Sequence, residues 1–295
     1  MHFNYIRFEK NVSDKGMTIR IGHSPDPDDA FMFYALTNGQ IDTQERTYEH
    51  VLVDIDTLND AAQEGTFEVS AVSIHTFPKI SETYALMNCG ASMGEGYGPI
   101  LVSNKEISLE EVKNCEIAIP GKSTSSYLAL VMALGDVSVN EVPFDKILPG
   151  VIEGRFDAGL IIHEGQLTWK DQGAHLIIDL GVWWNEETGL PLPLGGNVVR
   201  RDLGEDACIS ISRDIEKSIE FSLNNPELAL DFSRQWGRGI DEKTNEEFVR
   251  MYVNERTLDF GEDGREAVRL FLERGKEIGL VSSKFEPREL RFVGE

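Results

Sequence analysis

The stretch Ala158-Gly159-Leu160-Ile161-Ile162-His163-Glu164-Gly165 decides how this chain is read. It is apolar at successive positions, as a strand covered on both faces must be, and then breaks into a histidine, an acid and a glycine. Strands of that kind belong to parallel sheets with helices on both sides. Ligands of such sheets sit outside the carboxyl ends of the strands, so the residues after Ile162 fall where chemistry is expected.

The neighbouring sequence repeats the pattern. Residues 117–119 predict a strand, followed by Pro120-Gly121-Lys122-Ser123-Thr124-Ser125-Ser126 and an apolar helix over 127–134. Further strands are expected at 142–145 and 176–179, with a helix at 147–153. An earlier series opens with a strand at 18–21, the turn Ser24-Pro25-Asp26-Pro27, and a helix whose apolar face carries Phe31, Tyr34 and Ala35 and ends near Asn38-Gly39. It continues with strands at 51–53 and 69–74 around a helix at 57–62, then strands at 84–89 and 100–102 that flank a glycine-rich run.

After Leu203 only helices are expected, at about 208–223, 226–236, 244–254 and 263–278, the second opened by Pro226. The chain therefore reads as an α/β protein of two doubly wound lobes with a helical C-terminal segment and a ligand in the cleft between them. Residues 17–103 with 200–295 are expected to form the large lobe, and 104–199 the small one.

Charge narrows the function. With 51 acids against 28 bases the formal net charge is −23, and no basic block interrupts it. Nucleic acid and anionic membrane surfaces are repelled by such a chain, so neither is an expected partner. An anionic small molecule must be held by helix N-termini and backbone amides acting at short range. No run of about 18 apolar residues spans a bilayer. Cys89, Cys115 and Cys208 are odd in number and widely spaced, which supports neither a disulfide framework nor a zinc site. Residues before Met17 show no apolar signal segment, so a cytoplasmic location is expected, and those residues are expected to be dispensable.

Four loops follow buried strands: 24–29, 73–77, 121–126 and 163–165. His163 is the candidate catalytic residue, because an imidazole titrates near neutrality and suits general base work. The plainer reading is a structural histidine satisfied by nearby backbone. Glu164 would tune it, although adjacent residues on an extended strand point to opposite faces. The candidate substrate-binding residues are Ser24, Asp29, Ser73, Thr124 and Ser125. The run at 121–126 offers amides, hydroxyls and a helix N-terminus to a carboxylate, or is simply an N-cap. It is not a P-loop, since Glu116 stands where that motif needs glycine. Asp26, Asp28 and Asp29 lack the spacing of a calcium loop and read as the acidic first turn of a helix, so no metal is expected. Gly94-x-Gly96-x-Gly98 is followed by a strand, which excludes a dinucleotide fingerprint. His23, His75 and His175 read as packing or surface residues, and Trp183 and Trp184 as core.

Several blocks together resemble the 1,4-dihydroxy-6-naphthoate synthases of the futalosine route to menaquinone. They are Ser-Pro-x-Pro-x-Asp-x-Phe at 24–31, Gly-x-Gly-Pro at 96–99, Lys146-Ile147-Leu148-Pro149, Gly-Leu-Ile-Ile-His-Glu at 159–164 and Gly-Leu-Pro-Leu-Pro-Leu-Gly at 189–195. The resemblance implies a fold like the second type of periplasmic solute-binding proteins, with two crossing strands. It implies cleavage of cyclic dehypoxanthinylfutalosine to 1,4-dihydroxy-6-naphthoate and dihydroxyacetone without a redox cofactor, the family's histidine base falling on His163. Its hydroxyl-bearing anion loop falls on Thr124 and Ser125, where a threonine pair is more usual. This chain departs from the family in carrying Asp26, Asp28 and Ala30 where Cys, Asn and Thr are usual. Chorismate dehydratases share the architecture and are the second enzyme reading. A non-catalytic solute-binding protein for a small carboxylate is the reading from another class.

Overall fold

The computed structural model describes residues 16–237 and 239–295. Residues 1–15, on which the expectation of a dispensable N-terminus mainly rests, lie outside that set. In chain order the strands are β1 (Thr18–His23), β2 (Thr47–Leu52), β3 (Val69–Ser73), β4 (Tyr84–Leu86), β5 (Ser92–Gly94), β6 (Ile100–Ser103), β7 (Glu116–Ile119), β8 (Ser138–Glu141), β9 (Ala158–Ile161), β10 (His175–Asp179) and β11 (Leu192–Arg200). One sheet runs β2-β1-β3-β11-β4 with β5 beside β11, and the other runs β10-β6-β9-β7-β8.

The chain divides into two compact units. The first holds the described residues up to Ser92, together with Gly195–Gly261 and Glu289–Glu295; the second holds Met93–Leu194 and Glu262–Arg288. The sequence reading had kept the whole helical tail with the first lobe, whereas residues 262–288 cluster with the second. The chain changes unit within β5 and again within β11.

In the first unit β1 lies parallel to both β2 and β3, and β11 runs antiparallel between β3 and β4. Ile19, Ile21, Val69 and Val199 of this sheet are buried with Cys208, Ile211, Ile215 and Ile219, which recur at helical spacing along the helix Glu205–Asn224. On the other side of β1 the helix Ile55–Gln63 approaches closely. A Cβ at Gly22 would lie 2.6 Å from the Phe67 ring and 2.8 Å from Leu58, so the close approach requires glycine.

In the second unit β7 lies parallel to β8 and β9, and β6 runs antiparallel to β9 and β10. Its core joins Ile100, Val102, Ala118 and Ile161 to Ile147 and Leu148 of the helix Phe144–Ile152. That helix lies against Gly159, where a Cβ would meet Ile147 at 2.5 Å.

The strand expected at 142–145 is a correction. The strand is β8 at Ser138–Glu141, and the helix already starts at Phe144 behind Pro143. As an edge strand with exposed or half-buried side chains, Ser-Val-Asn-Glu carries no apolar signal to mark it. β11 was missed because Pro193, Gly195 and Gly196 read as loop residues, and β5 was missed inside the glycine-rich run.

Candidate active site

In the second unit the loops after β7 and β9 leave the same edge of the sheet, because these strands are parallel neighbours with Ile117 opposite Ala158. The β9 loop carries His163, whose side chain is 11% exposed. Its Nδ1 accepts the Gly165 amide N–H at 3.0 Å, and its Nε2 lies 3.2 Å from the Phe144 carbonyl. An amide can only donate and a carbonyl can only accept, so the neutral ring carries its proton on Nε2. The Phe144 ring packs edge-on at 5.4 Å. Gly165 is required here, since a Cβ would stand 2.9 Å from His163 Cε1. In this geometry the ring is satisfied by backbone on both nitrogens.

Glu164 changes what the ring can do. β9 ends at Ile161, and Glu164 has helical backbone angles at the start of the short helix Gly165–Thr168, so the alternation of an extended strand does not apply to it. Its Oε2 lies 3.5 Å from His163 Nδ1, and its side chain is 7% exposed. Once Nδ1 takes a proton it can no longer accept from Gly165, and the carboxylate beside it becomes its partner. The neutral ring is held by the amide and the imidazolium by the acid.

The β7 loop ends on Thr124, the N-cap of the helix Ser125–Leu134. Thr124 Oγ1 accepts from the Tyr127 N–H at 3.3 Å and donates to the Gly121 carbonyl at 2.7 Å, while Ser126 Oγ stands 2.9 Å away. Ser125 Oγ donates to the Leu194 carbonyl at 2.6 Å. Both hydroxyls thus donate to backbone carbonyls, Thr124 within its own loop and Ser125 to distant β11, and what the loop offers an anion is the positive end of a ten-residue helix.

In the first unit the loops after β1 and β3 likewise leave one edge of a parallel pair. Ser24 donates its amide to Asp29 Oδ2 and its hydroxyl to Asp26 Oδ2, each at 2.7 Å. Burial pushes the Asp29 carboxyl up to about 7, against the Ser24 amide and with help from the Asp26 charge. Asp28 is raised well above the ordinary range by burial and then by its acidic neighbours, and its Oδ1 has no hydrogen-bond partner among the described residues. No group of three or more His, Cys, Asp and Glu side chains among the described residues is placed to hold a metal ion. Ser73 closes β3: its N–H donates to Asn59 Oδ1 at 2.8 Å, and its Oγ accepts from Asn59 Nδ2 at 3.0 Å.

Sequence reasoning passed over Asn59 and also His50. His23 Nδ1 bonds the Ser24 carbonyl at 3.0 Å, its Nε2 bonds His50 Nδ1 at 3.0 Å, and His50 Nε2 reaches the Thr37 hydroxyl at 3.3 Å. Burial holds His23 down to about 4 and His50 well below its usual value, so both are neutral. The link between His23 and His50 crosses from β1 to β2, and nothing local in the sequence announces it. His23 also packs on Phe33 at 4.6 Å, His175 is exposed on β10, and Trp184 is fully buried with its Nε1 donating to the Pro191 carbonyl.

The comparisons with known proteins agree with one another. A family profile described as menaquinone biosynthesis matches residues 19–277. A 1,4-dihydroxy-6-naphtoate synthase from Thermus thermophilus is 39% identical over 86% of this chain and 93% of its own length. The Streptomyces coelicolor protein of the same name is 33% identical over 90% of this chain and 95% of its own. A crystal structure of an Archaeoglobus fulgidus protein is 41% identical, with a TM-score of 0.86 over 90% of this chain and 98% of its own. The alkanesulfonate-binding protein SsuA from Xanthomonas axonopodis, at 10% identity, shares the fold alone, with a TM-score of 0.70 over 94% of this chain and 98% of its own. Matched along most of its length both by a family profile and by relatives 39% and 33% identical that it covers almost end to end, the chain belongs to the menaquinone biosynthesis family.

Proposed function

We propose that this chain is a 1,4-dihydroxy-6-naphthoate synthase, a carbon–carbon lyase that converts cyclic dehypoxanthinylfutalosine to 1,4-dihydroxy-6-naphthoate and dihydroxyacetone. His163 removes a proton from the bound spirocycle, collapse releases the three-carbon fragment, and aromatisation of the naphthoate drives the step. The observation that carries this reading is the pairing of His163 with Glu164 at the carboxyl end of β9, in a chain whose full-length relatives bear that enzyme's name.

The proton arrives at Nδ1, the nitrogen that holds a lone pair in the neutral ring. The Gly165 amide gives up its bond there as the ring charges, and Glu164 takes over as partner. A substrate carboxylate is received by the N-terminal turn of the helix Ser125–Leu134, at Thr124 and Ser125, with the helix dipole compensating part of the unfavourable net charge. Ser24, Asp29 and Ser73 are the proposed substrate contacts on the first unit. The balanced reaction transfers no electrons, so the reading names no redox cofactor. Its setting is the cytoplasm, and among the described residues no helix is long and apolar enough to cross a membrane.

Incubation of the purified protein with the cyclic derivative, read by mass spectrometry, tests the proposal. Equimolar naphthoate and dihydroxyacetone are expected. Tight, saturable binding with no turnover would replace the lyase by a passive binder, and turnover of chorismate instead would move the chain to the dehydratases.

A further inference from the structure

The helix Ile55–Gln63 packs its face of Leu58, Asn59, Ala61 and Ala62 into the first unit, and Asn59 is fully buried there. A carboxamide in such a position costs free energy unless its polar atoms are bonded, and leucine would suit the surroundings better. Both ends of this amide are turned on one residue. Its Oδ1 takes the Ser73 N–H at 2.8 Å and its Nδ2 reaches the Ser73 Oγ at 3.0 Å.

This double contact fixes direction as well as place. The Ser73 amide can only donate, so the Asn59 oxygen must face it, and the amide nitrogen is thereby forced against the serine oxygen. Ser73 Oγ is then an acceptor toward Asn59, and its own hydrogen must point elsewhere. That hydrogen meets no acceptor among the described residues, although Ser73 is only 4% exposed. A buried donor left in this state is costly until something accepts from it. Ser73 also stands at the carboxyl end of β3, where a sheet of this kind receives its ligand.

We propose that Asn59 is a positioning residue that makes Ser73 a one-way hydrogen-bond donor to a substrate oxygen carrying no proton, a carbonyl or a carboxylate. The proposal rests on the reading of this chain as a naphthoate synthase that meets its substrate at Ser73. It selects against a substrate that would present an N–H or a cationic nitrogen at this point, because two donors would then face each other.

Asn59→Asp tests it most sharply. The carboxylate still accepts the Ser73 N–H, but its second oxygen now accepts from the Ser73 hydroxyl, which turns the hydrogen away from the substrate. Steady-state kinetics with the cyclic futalosine derivative should show KM raised about tenfold or more with a smaller change in kcat, as expected for a lost binding contact. Ser73→Ala should give the same split, and the double variant should be no worse than either single one. Folded Asn59→Asp and Ser73→Ala proteins with wild-type KM would overturn the proposal, as would additive losses in the double variant. Should the wild type fail to turn over the derivative, the functional reading fails by itself, and amide exchange then judges the clamp: Ser73 N–H protection retained in Asn59→Asp and lost in Asn59→Leu supports it, and unchanged protection in Asn59→Leu overturns it.

Discussion

The two units present their sheet edges in opposite electrostatic styles. After β1 the first unit places Asp26, Asp28 and Asp29 within four residues and buries two histidines behind them; after β7 the second places Thr124, Ser125 and Ser126 at the start of a ten-residue helix and keeps one buried acid, Glu164, beside its histidine. A chain with a net charge of −23 can welcome an anion only where its loops are free of clustered carboxylates or where those carboxylates hold protons. The second unit takes the first course; in the first unit burial raises Asp28 and Asp29, which lessens the charge of the cluster, and neutralises His23 and His50 with them.

The largest effect is expected on the second edge. His163→Asn keeps the size of the ring and removes its basic nitrogen, so kcat/KM for the cyclic derivative should fall by roughly 10² to 10⁴-fold while the melting temperature changes little. A variant that folds and turns over at the wild-type rate would return His163 to the purely structural reading, and His75, buried beyond β3, would be tried next.

On the first edge Asp28→Asn should raise stability at neutral pH, because it replaces a buried acid, whose ionised form burial and its acidic neighbours oppose, with a group that never ionises. Chemical denaturation at neutral pH would read this, and a destabilised variant would show that the acid is paired in solution. Asp29 and His23 also pull stability in opposite directions with pH. Between about 4 and about 7 native Asp29 keeps a proton that the unfolded chain has released, so its contribution is present at the acid end and lost as pH rises through about 7. Between about 4 and the ordinary histidine value near ~6.5, native His23 refuses a proton that the unfolded chain binds, so stability is lost as pH falls. Asp29→Asn should uncover the histidine limb, and its melting temperature should drop more steeply below pH ~6.5 than that of the wild type. Parallel curves would remove the compensation.

Glu164→Gln should lower kcat/KM by about tenfold, the loss of an opposite charge beside the imidazolium, and should leave the fold intact. Thr124→Val should give the smallest effect, a stability loss of about 1 kcal/mol for a missing N-cap. A fall in substrate affinity larger than that loss would show that its hydroxyl leaves Gly121 to meet the substrate.

The alternation of strands and helices was legible because burial on both faces writes itself as apolar runs, as at 158–162 and 117–119. The loops followed from it, since the carboxyl ends of those strands select Ser24, Ser73, Thr124 and His163 whatever the substrate. What escaped was set by contacts distant in sequence. β8 is a half-exposed edge strand, and β11 is built from prolines and glycines that earn their strand state only by pairing with β3 and β4. Glu164 was read as tuning His163, with the alternation of an extended strand as the objection; that objection falls because the strand ends at Ile161 and Glu164 has helical backbone angles. Asn59 looked like any polar residue on an amphipathic helix until Ser73, fourteen residues on, was found opposite it.

β11 also sets the order in which this protein is able to fold. β3 is made early, but the strand that pairs with its free side runs through Gly195–Val199, after the whole of 93–194 has been synthesised. The second unit in turn takes residues 262–288, and the first is joined at its end by Phe292 and Val293, the latter bonding the Leu86 carbonyl at 2.8 Å. Loop-closure entropy must be met before such distant pairings repay it, so the N-terminal strands remain an open, unpaired edge through most of translation. For a chain of this topology the hazard lies in the time before the last residues arrive, and its dense negative charge, a handicap for binding anions, becomes a safeguard that keeps nascent copies apart.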